Sequence, residues 1–246
     1  MPAFKAMKVV NNQSTKLAEK GDLYLYVSHR FGTIKGGIGS LFGLDYANTK
    51  IEMLYGALSQ IQVGFSRESF KKTYNIHIKY AIKKQTENFP VSITGYNSIN
   101  LDTSLDESLY PNLNFNERYV YISQLLISRR FNEKLSLQVS PSVVKHNFLT
   151  TQSETDYNYI LNYGSRIKIS KRSSFNMDYS HHLNRLASST QKNVFSLGVD
   201  METGGHVFQL LFSNTQASDE AGVLTAAEGD WLKGDVFFGF NILRVF

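Results

Sequence analysis

The chain has no cysteine, which removes both a disulfide framework and any chemistry that needs a thiolate, and suits an exported protein. Proline is scarce as well, four in 246 residues, and with 42% hydrophobic side chains the composition excludes a disordered polymer. No apolar run approaches the roughly 18 residues of a membrane-spanning helix. That excludes a helical membrane protein and leaves a barrel open, because a barrel's interior can be polar. The excess of positive charge is small, +5, and the Lys and Arg residues are scattered. Without a basic stripe or a known module, nucleic acid is not an expected partner. The opening stretch, MPAFKAMKVVNNQSTKLAEKGD, lacks the apolar core of a signal peptide. Export would then mean that the signal has already been removed.

Alternation is what the sequence has in abundance. The last stretch, GDVFFGFNILRVF, puts Val236, Phe238, Phe240, Ile242 and Phe246 at one parity, so in a strand they point the same way. Similar alternation recurs along the chain. Leu135, Leu137 and Val139 oppose Ser136, Gln138 and Ser140, and Phe195, Leu197 and Val199 oppose Ser196, Gly198 and Asp200. Ile76 and Ile78 oppose His77 and Lys79. About twelve strands are predicted, near 21–31, 48–57, 60–68, 72–84, 89–99, 117–131, 134–146, 157–170, 174–183, 193–203, 205–214 and 234–246, with no helix. The faces of 117–131 (ERYVYISQLLISRRF) do not sort by alternation.

The connections between these strands alternate long and short. Tight turns at one end and extended loops at the other are the habit of transmembrane barrels, with short periplasmic turns and long outer loops. Many predicted strands run to the 9–11 residues needed to cross a bilayer at a tilt, and exceed the 5–6 usual in soluble sheets. Aromatic residues gather near strand ends, at Phe31, Phe70, Tyr74, Tyr157, Tyr159 and Phe175, where interfacial girdles would lie. The expected fold is therefore all-β, a closed antiparallel transmembrane barrel of about twelve strands over 21–246. Residues 1–20 form an N-terminal periplasmic segment in this reading. Strand 21–31 should pair with 234–246, so that no edge stays open in lipid.

Several stretches carry a family resemblance: SHRFGTIKGGIGSLFGLD (28–45), FKKTYNIHIKY (70–80), QLLISRRF (124–131), METGGHVFQLLFSNTQ (201–216) and KGDVFFGFNILRVF (233–246). Together they resemble an uncharacterised family of membrane-bound β-barrel proteins found mainly in Gram-negative Bacteroidetes. The resemblance runs along nearly the whole chain, implies an outer-membrane barrel and supplies no catalytic residues. The terminal strand also resembles the signal read by the outer-membrane assembly machinery.

Candidate chemistry is sparse. In DYSHH, Asp178, Ser180 and His182 share a face, but Ser lies between the other two, about 7 Å from each along the strand. A catalytic triad places the His between Ser and acid, so polar wall lining is the better reading. Adjacent His181 and His182 point to opposite faces and cannot share a metal. GGIGSLFG and TGGH lack the helix and Gly-Lys-Ser/Thr ending of a phosphate loop. The spacing of Asp102, Asp106 and Glu107 matches no calcium loop. No Ser/His pair suits a lipid hydrolase on the membrane-facing side. No enzyme activity, cofactor or metal is expected.

The polar faces carry the candidate site. His77, Lys79, Lys83, Gln138, Arg166, Lys168, Asp178, Asp200 and Glu202 should line the lumen. Twelve strands tilted by about 40° give a backbone diameter of roughly 24 Å and a channel of at most about 10 Å. Two functions fit this wall. One is a narrow porin-like channel for small polar solutes with a mild anion preference. The other is a closed barrel acting as a scaffold or partner subunit of an outer-membrane complex, its lumen plugged by its own polar network. Lipid hydrolysis is a remote third. Expected partners are outer-membrane lipid, the assembly machinery and a protein reached through the loops.

Overall fold

In a computed structural model that describes residues 2–151 and 154–246, twelve antiparallel strands close into one barrel. They are β1 Leu23–Thr33, β2 Ala47–Leu58, β3 Ile61–Glu68, β4 Tyr74–Lys83, β5 Ser92–Leu101, β6 Tyr119–Arg130, β7 Leu135–His146, β8 Tyr157–Lys168, β9 Ser173–His182, β10 Val194–Thr203, β11 His206–Ser213 and β12 Phe237–Val245. Each pairs with its sequence neighbours, and β1 pairs with β12 through Tyr24↔Val245, Val27↔Ile242 and His29↔Phe240. Phe246 extends that seam by donating its N–H to the Leu23 carbonyl at 2.9 Å. Closure satisfies every strand edge, which a sheet facing lipid requires.

The period-two pattern sorts the faces as the sequence predicts. Leu135, Leu137, Val139, Phe195, Leu197, Val199, Ile76 and Ile78 point outward, whereas Ser136, Gln138, Ser196, Asp200, His77 and Lys79 are buried inside. The connections 59–60, 84–91, 131–134, 169–172 and 204–205, none longer than eight residues, lie at one end with the start of β1 and the end of β12. The connections at the other end reach 214–236 in length of sequence. Cations stacked on aromatic rings mark the rims. Arg67 over Tyr74 (4.7 Å) and Lys145 over Tyr157 (5.6 Å) stand at the long-loop end. Arg129 over Phe131 (4.8 Å) and Arg244 over Phe246 (4.6 Å) stand at the short-turn end. Rings with charged partners at both borders suit the boundary between hydrocarbon and headgroups.

Three expectations change. Val236 precedes β12 and is 3% exposed, because the pairing of β1 with β12 shifts between Arg30 and Thr33 and Val236 accepts the Ile34 N–H there. The long connection before β12 contains a short α-helix, α1 Glu220–Thr225, capped by Asp219, which accepts the Gly222 N–H, and a single 3-10 turn at Trp231–Lys233. Residues 1–20, set apart in the sequence as a periplasmic segment, run into the barrel as far as they are described. Phe4, Met7, Val9 and Val10 are buried there against wall residues that include Tyr26, Leu54 and Leu211. Met1 of that segment and residues 152–153 of the β7–β8 loop lie outside the described residues.

Candidate functional site

The lumen is occupied by the chain itself. Residues 2–20 form a hairpin, closed by the Lys8–Gln13 bridge and by the Val9 N–H donating to the Asn12 carbonyl at 2.8 Å. At its tip the Asp178 carboxylate of β9 accepts the N–H groups of Val10, Asn11 and Asn12 on one oxygen, at 3.2, 2.7 and 2.8 Å. Successive N–H groups turned toward one anion are a built anion cradle, here filled by a wall side chain. Around it Arg30 donates to the Asn11 side chain at 2.7 Å, and Gln209 donates to the Val9 carbonyl at 2.8 Å. Lower down, Lys79 donates to the carbonyls of Met7, Ser14 and Lys16, and Gln138 donates to that of Gln13.

Two wall glycines make room for the tip. A Cβ on Gly164 would stand 3.1 Å from a Val9 methyl, and one on Gly198 would stand 3.3 Å from a Val10 methyl. Glycine inside a strand marks this kind of close approach. Yet no described backbone-to-backbone hydrogen bond joins residues 2–20 to the wall strands. The hairpin is gripped by side chains and is not zipped into the sheet.

From the long-loop end, connection 214–236 folds inward. All six residues of α1 are buried. Ala221 and Leu224 pack on an apolar wall patch of Tyr96, Ile122, Leu126, Val144 and Ile160. The two inserts meet at Glu220. Its carboxylate pairs with Lys8 of the hairpin at 2.7 Å and with Lys50 of β2 at 3.0 Å, and it accepts from Gln13 at 2.7 Å. Burial alone would push this carboxyl up, but Lys50 and Lys8 outweigh it and hold it well below the ordinary carboxylate range. Glu52 stands 3.5 Å from Lys50, completing a buried cluster of two lysines and two glutamates. Lys8, Lys50, Glu52, Glu220 and Arg30 were not among the residues expected from the sequence. The parity of Lys50 and Glu52 on β2 was the available signal; nothing in sequence spacing pairs Lys8 with Glu220.

Of the predicted lumen residues, His77, Lys79, Gln138, Arg166, Asp178 and Asp200 are buried inside the wall. Lys83 is not, because the β4–β5 register shifts between Ala81 and Lys83, and its ammonium sits exposed over the Phe89 ring at the short-turn mouth. Lys168 is half-buried at the end of β8. Glu202 lies at the same mouth, 3.2 Å from Lys5 and 3.7 Å from Arg166. Phe238, Phe240 and Ile242 face outward as expected, and Phe240 packs on His29 and Phe31.

The DYSHH residues are structural. Asp178 holds the hairpin tip, Ser180 accepts from Asn12 at 3.1 Å, and His182 donates through Nε2 to the Leu224 carbonyl. Asp102 and Asp106 cap Ser104 and Ser108, and Glu107 pairs with Arg118 at 2.9 Å. Among the described residues no three His, Asp or Glu side chains gather closely enough to hold a metal.

Above α1, at the long-loop end, lies a polar recess of about 70 Å³ walled by residues that include Lys71, His146, His182 and Arg185 and floored by Thr225. A cleft of about 370 Å³ shares Lys71, Thr150, Glu154, Ser189 and Gln191 with it. Neither reaches the opposite mouth, where a separate cleft of about 470 Å³ is bounded by Pro2, Thr15, Lys16 and Lys83.

Several solved outer-membrane channels share this architecture. The chain is 9% identical to NanC porin with a TM-score of 0.57, over 91% of this chain and 98% of the porin. For KdgM porin the values are 6% and 0.55, over 92% and 99%. For an outer-membrane channel from Pseudomonas putida F1 they are 12% and 0.53, over 94% and 97%. At these identities the likeness is one of fold. No curated protein matches the sequence closely enough to count as a relative. Residues 4–246 match a family described as membrane bound beta barrel domain (DUF5777), and the chain belongs to that family.

Proposed function

We propose that this barrel is an outer-membrane channel for small polar solutes, held closed by its own N-terminal hairpin. The observation that carries the proposal is the manner of the hairpin's attachment. Asp178 accepts N–H groups of its tip, Lys79, Gln138 and Gln209 donate to its carbonyls, and Glu220 pairs with Lys8 on its first arm. Each of these wall groups is polar and can be taken over by water when the hairpin leaves. The apolar contacts of Phe4, Met7, Val9 and Val10 fill space, but a lumen meant only to be filled would need no buried ion pair beside them, since such a pair adds little net stability over a hydrophobic replacement. The fold shared with porins supports the same reading.

The mild anion preference belongs to the proposal at the mouths of the barrel. Inside, Arg30, Lys50, Lys79 and Arg166 are matched by Glu52, Glu68, Asp178 and Asp200, so the wall is balanced. Lys83 and Lys168 at the short-turn mouth would supply the bias. A second reading, a non-conducting scaffold, is favoured by the loop that follows β1. It exposes Ile38, Leu41 and Phe42, the last two at φ of 46° and 55°, a conformation costly for such side chains.

Recording in planar bilayers decides between the two. The full chain should be silent or open rarely, and a variant lacking residues 2–20 should conduct steadily. Silence of a folded truncated barrel, together with a co-purifying protein, would establish the scaffold in place of the channel.

A further inference from the structure

The recess above α1 contains a charge with no ion-pair partner among the described residues. Arg185, in the connection between β9 and β10, turns its guanidinium into the recess, and its Nε and Nη2 are buried with no hydrogen-bond partner among the described residues. Those two nitrogens form the edge of the guanidinium that matches the two oxygens of a carboxylate. Burial draws this guanidinium below its ordinary range, and the Tyr179 phenol opposes that only in part. The side chain is partly exposed, but the two nitrogens left without partners are buried, and buried donors left unsatisfied are costly.

Three carboxylates share this wall, and none of them forms an ion pair with Arg185 or Lys71; each has one oxygen bonded to a neutral donor. Asp102 accepts from the Ser104 N–H and hydroxyl, Glu117 accepts the Asn114 N–H, and Glu154 accepts from Gln191. Arg118 is likewise satisfied, by Glu107 and the Leu105 carbonyl. Arg185 and Lys71 are left without an ion pair among the described residues. The recess is the size of a small head group, and the adjoining cleft has neutral polar walls of Thr150, Ser189, Thr190 and Gln191, with Glu154 and Glu228 suited to hydroxyl donors.

From this we infer that the long-loop mouth holds a binding site for a small carboxylate with a hydroxylated tail, with the carboxylate on the Nε–Nη2 edge of Arg185, Lys71 as second cation and the tail in the cleft. This rests on the channel reading in one respect: it names the solute class that would wait at the closed entrance. Selection at the entrance also accounts for a lumen wall whose own charges cancel.

The test uses the full chain in detergent and isothermal titration calorimetry, with gluconate as probe and sorbitol as its uncharged counterpart. Gluconate should bind at least tenfold more tightly than sorbitol. Arg185→Gln should weaken gluconate by tenfold or more, and Arg185→Lys by less, because a lysine keeps the charge and loses the fork. Lys71→Gln should give an intermediate loss and serves as the second variant if Arg185→Gln does not fold. Lys35→Gln, a cation at the same end outside the recess, should bind as the parent does. Equal binding of sorbitol and gluconate, parental affinity in Arg185→Gln, or no binding by the folded parent overturns the site. Because binding is read without conductance, a chain that binds gluconate and never conducts removes the channel and keeps the site. One that conducts and does not bind does the reverse.

Discussion

Asp178 is the residue on which the hairpin's tip depends, since one of its oxygens takes three consecutive N–H groups. Replacing it with Ala leaves those donors to water and removes hydrogen bonds to a charged acceptor, a loss of roughly 2–3 kcal/mol locally. Amide exchange at Val10, Asn11 and Asn12 should accelerate about a hundredfold, while the strand amides of β7 and β8 keep their protection. Unchanged exchange at the tip would show that the neighbouring Arg30 and Gln209 contacts suffice. Glu220 gives a prediction in pH. Its carboxyl is held below the ordinary range, so the stability it contributes is complete above the unfolded value of about 4.3 and is lost only as pH falls through the lower folded value. Mild acid should therefore leave the channel closed. Glu220→Gln, which strands Lys8 and leaves Lys50 with Glu52 alone, should raise open probability already at neutral pH, and that rise should not depend on mild acidification. An opening of the parent near the ordinary carboxylate range would place Glu220 outside the lock.

Strand β6 shows where reading by alternation stops and why. Its inward side carries Ile122, Gln124, Leu126 and Ser128, half apolar, because Ile122 and Leu126 receive the inserted helix α1. A rule that sends apolar residues to lipid and polar ones to the lumen has no answer for a strand with apolar residues on both faces. The two bulged pairings that displaced Val236 and Lys83 defeat the same rule by shifting parity by one. Elsewhere the element boundaries were legible to within a few residues, since bilayer thickness, strand period and turn chemistry all act locally. Leu125 and Leu126 turn this into a test. Leu125 faces outward and Leu126 inward. Arginine at 125 should destabilise insertion into lipid vesicles by about 2–4 kcal/mol if it lies near the midplane. Ser at 126 should leave insertion intact and loosen α1, seen as faster amide exchange over 220–225. If both variants insert and melt like the parent, the assignment of the two faces of β6 is wrong.

At the scale of the whole molecule, the barrel was legible and its state was not. The wall residues His77, Lys79, Gln138, Asp178 and Asp200 could be placed in the lumen from parity alone, whereas what they hold there depends on contacts such as Lys8 with Glu220, 212 residues apart by subtraction of their numbers. No local pattern encodes such a pairing, although two wall glycines where the hairpin passes were its trace. The absence of cysteine now becomes useful, because an introduced pair has no competitor. The Cβ position of Gly164 lies 3.1 and 3.4 Å from the two methyl carbons of Val9, which puts the two Cβ atoms close to the roughly 3.5–4.5 Å that a disulfide needs. Val9→Cys with Gly164→Cys should therefore form a bond that fastens the hairpin to β8. To supply openings that the bond can suppress, the pair is placed in the Glu220→Gln background. Oxidised, that protein should be silent in planar bilayers; after reduction it should conduct as Glu220→Gln alone does, and each single cysteine variant should ignore the redox state. Conductance that persists in the oxidised protein, with the bond verified by mass, would mean that ions do not pass through the space the hairpin occupies, and the gate would have to be sought elsewhere in the barrel.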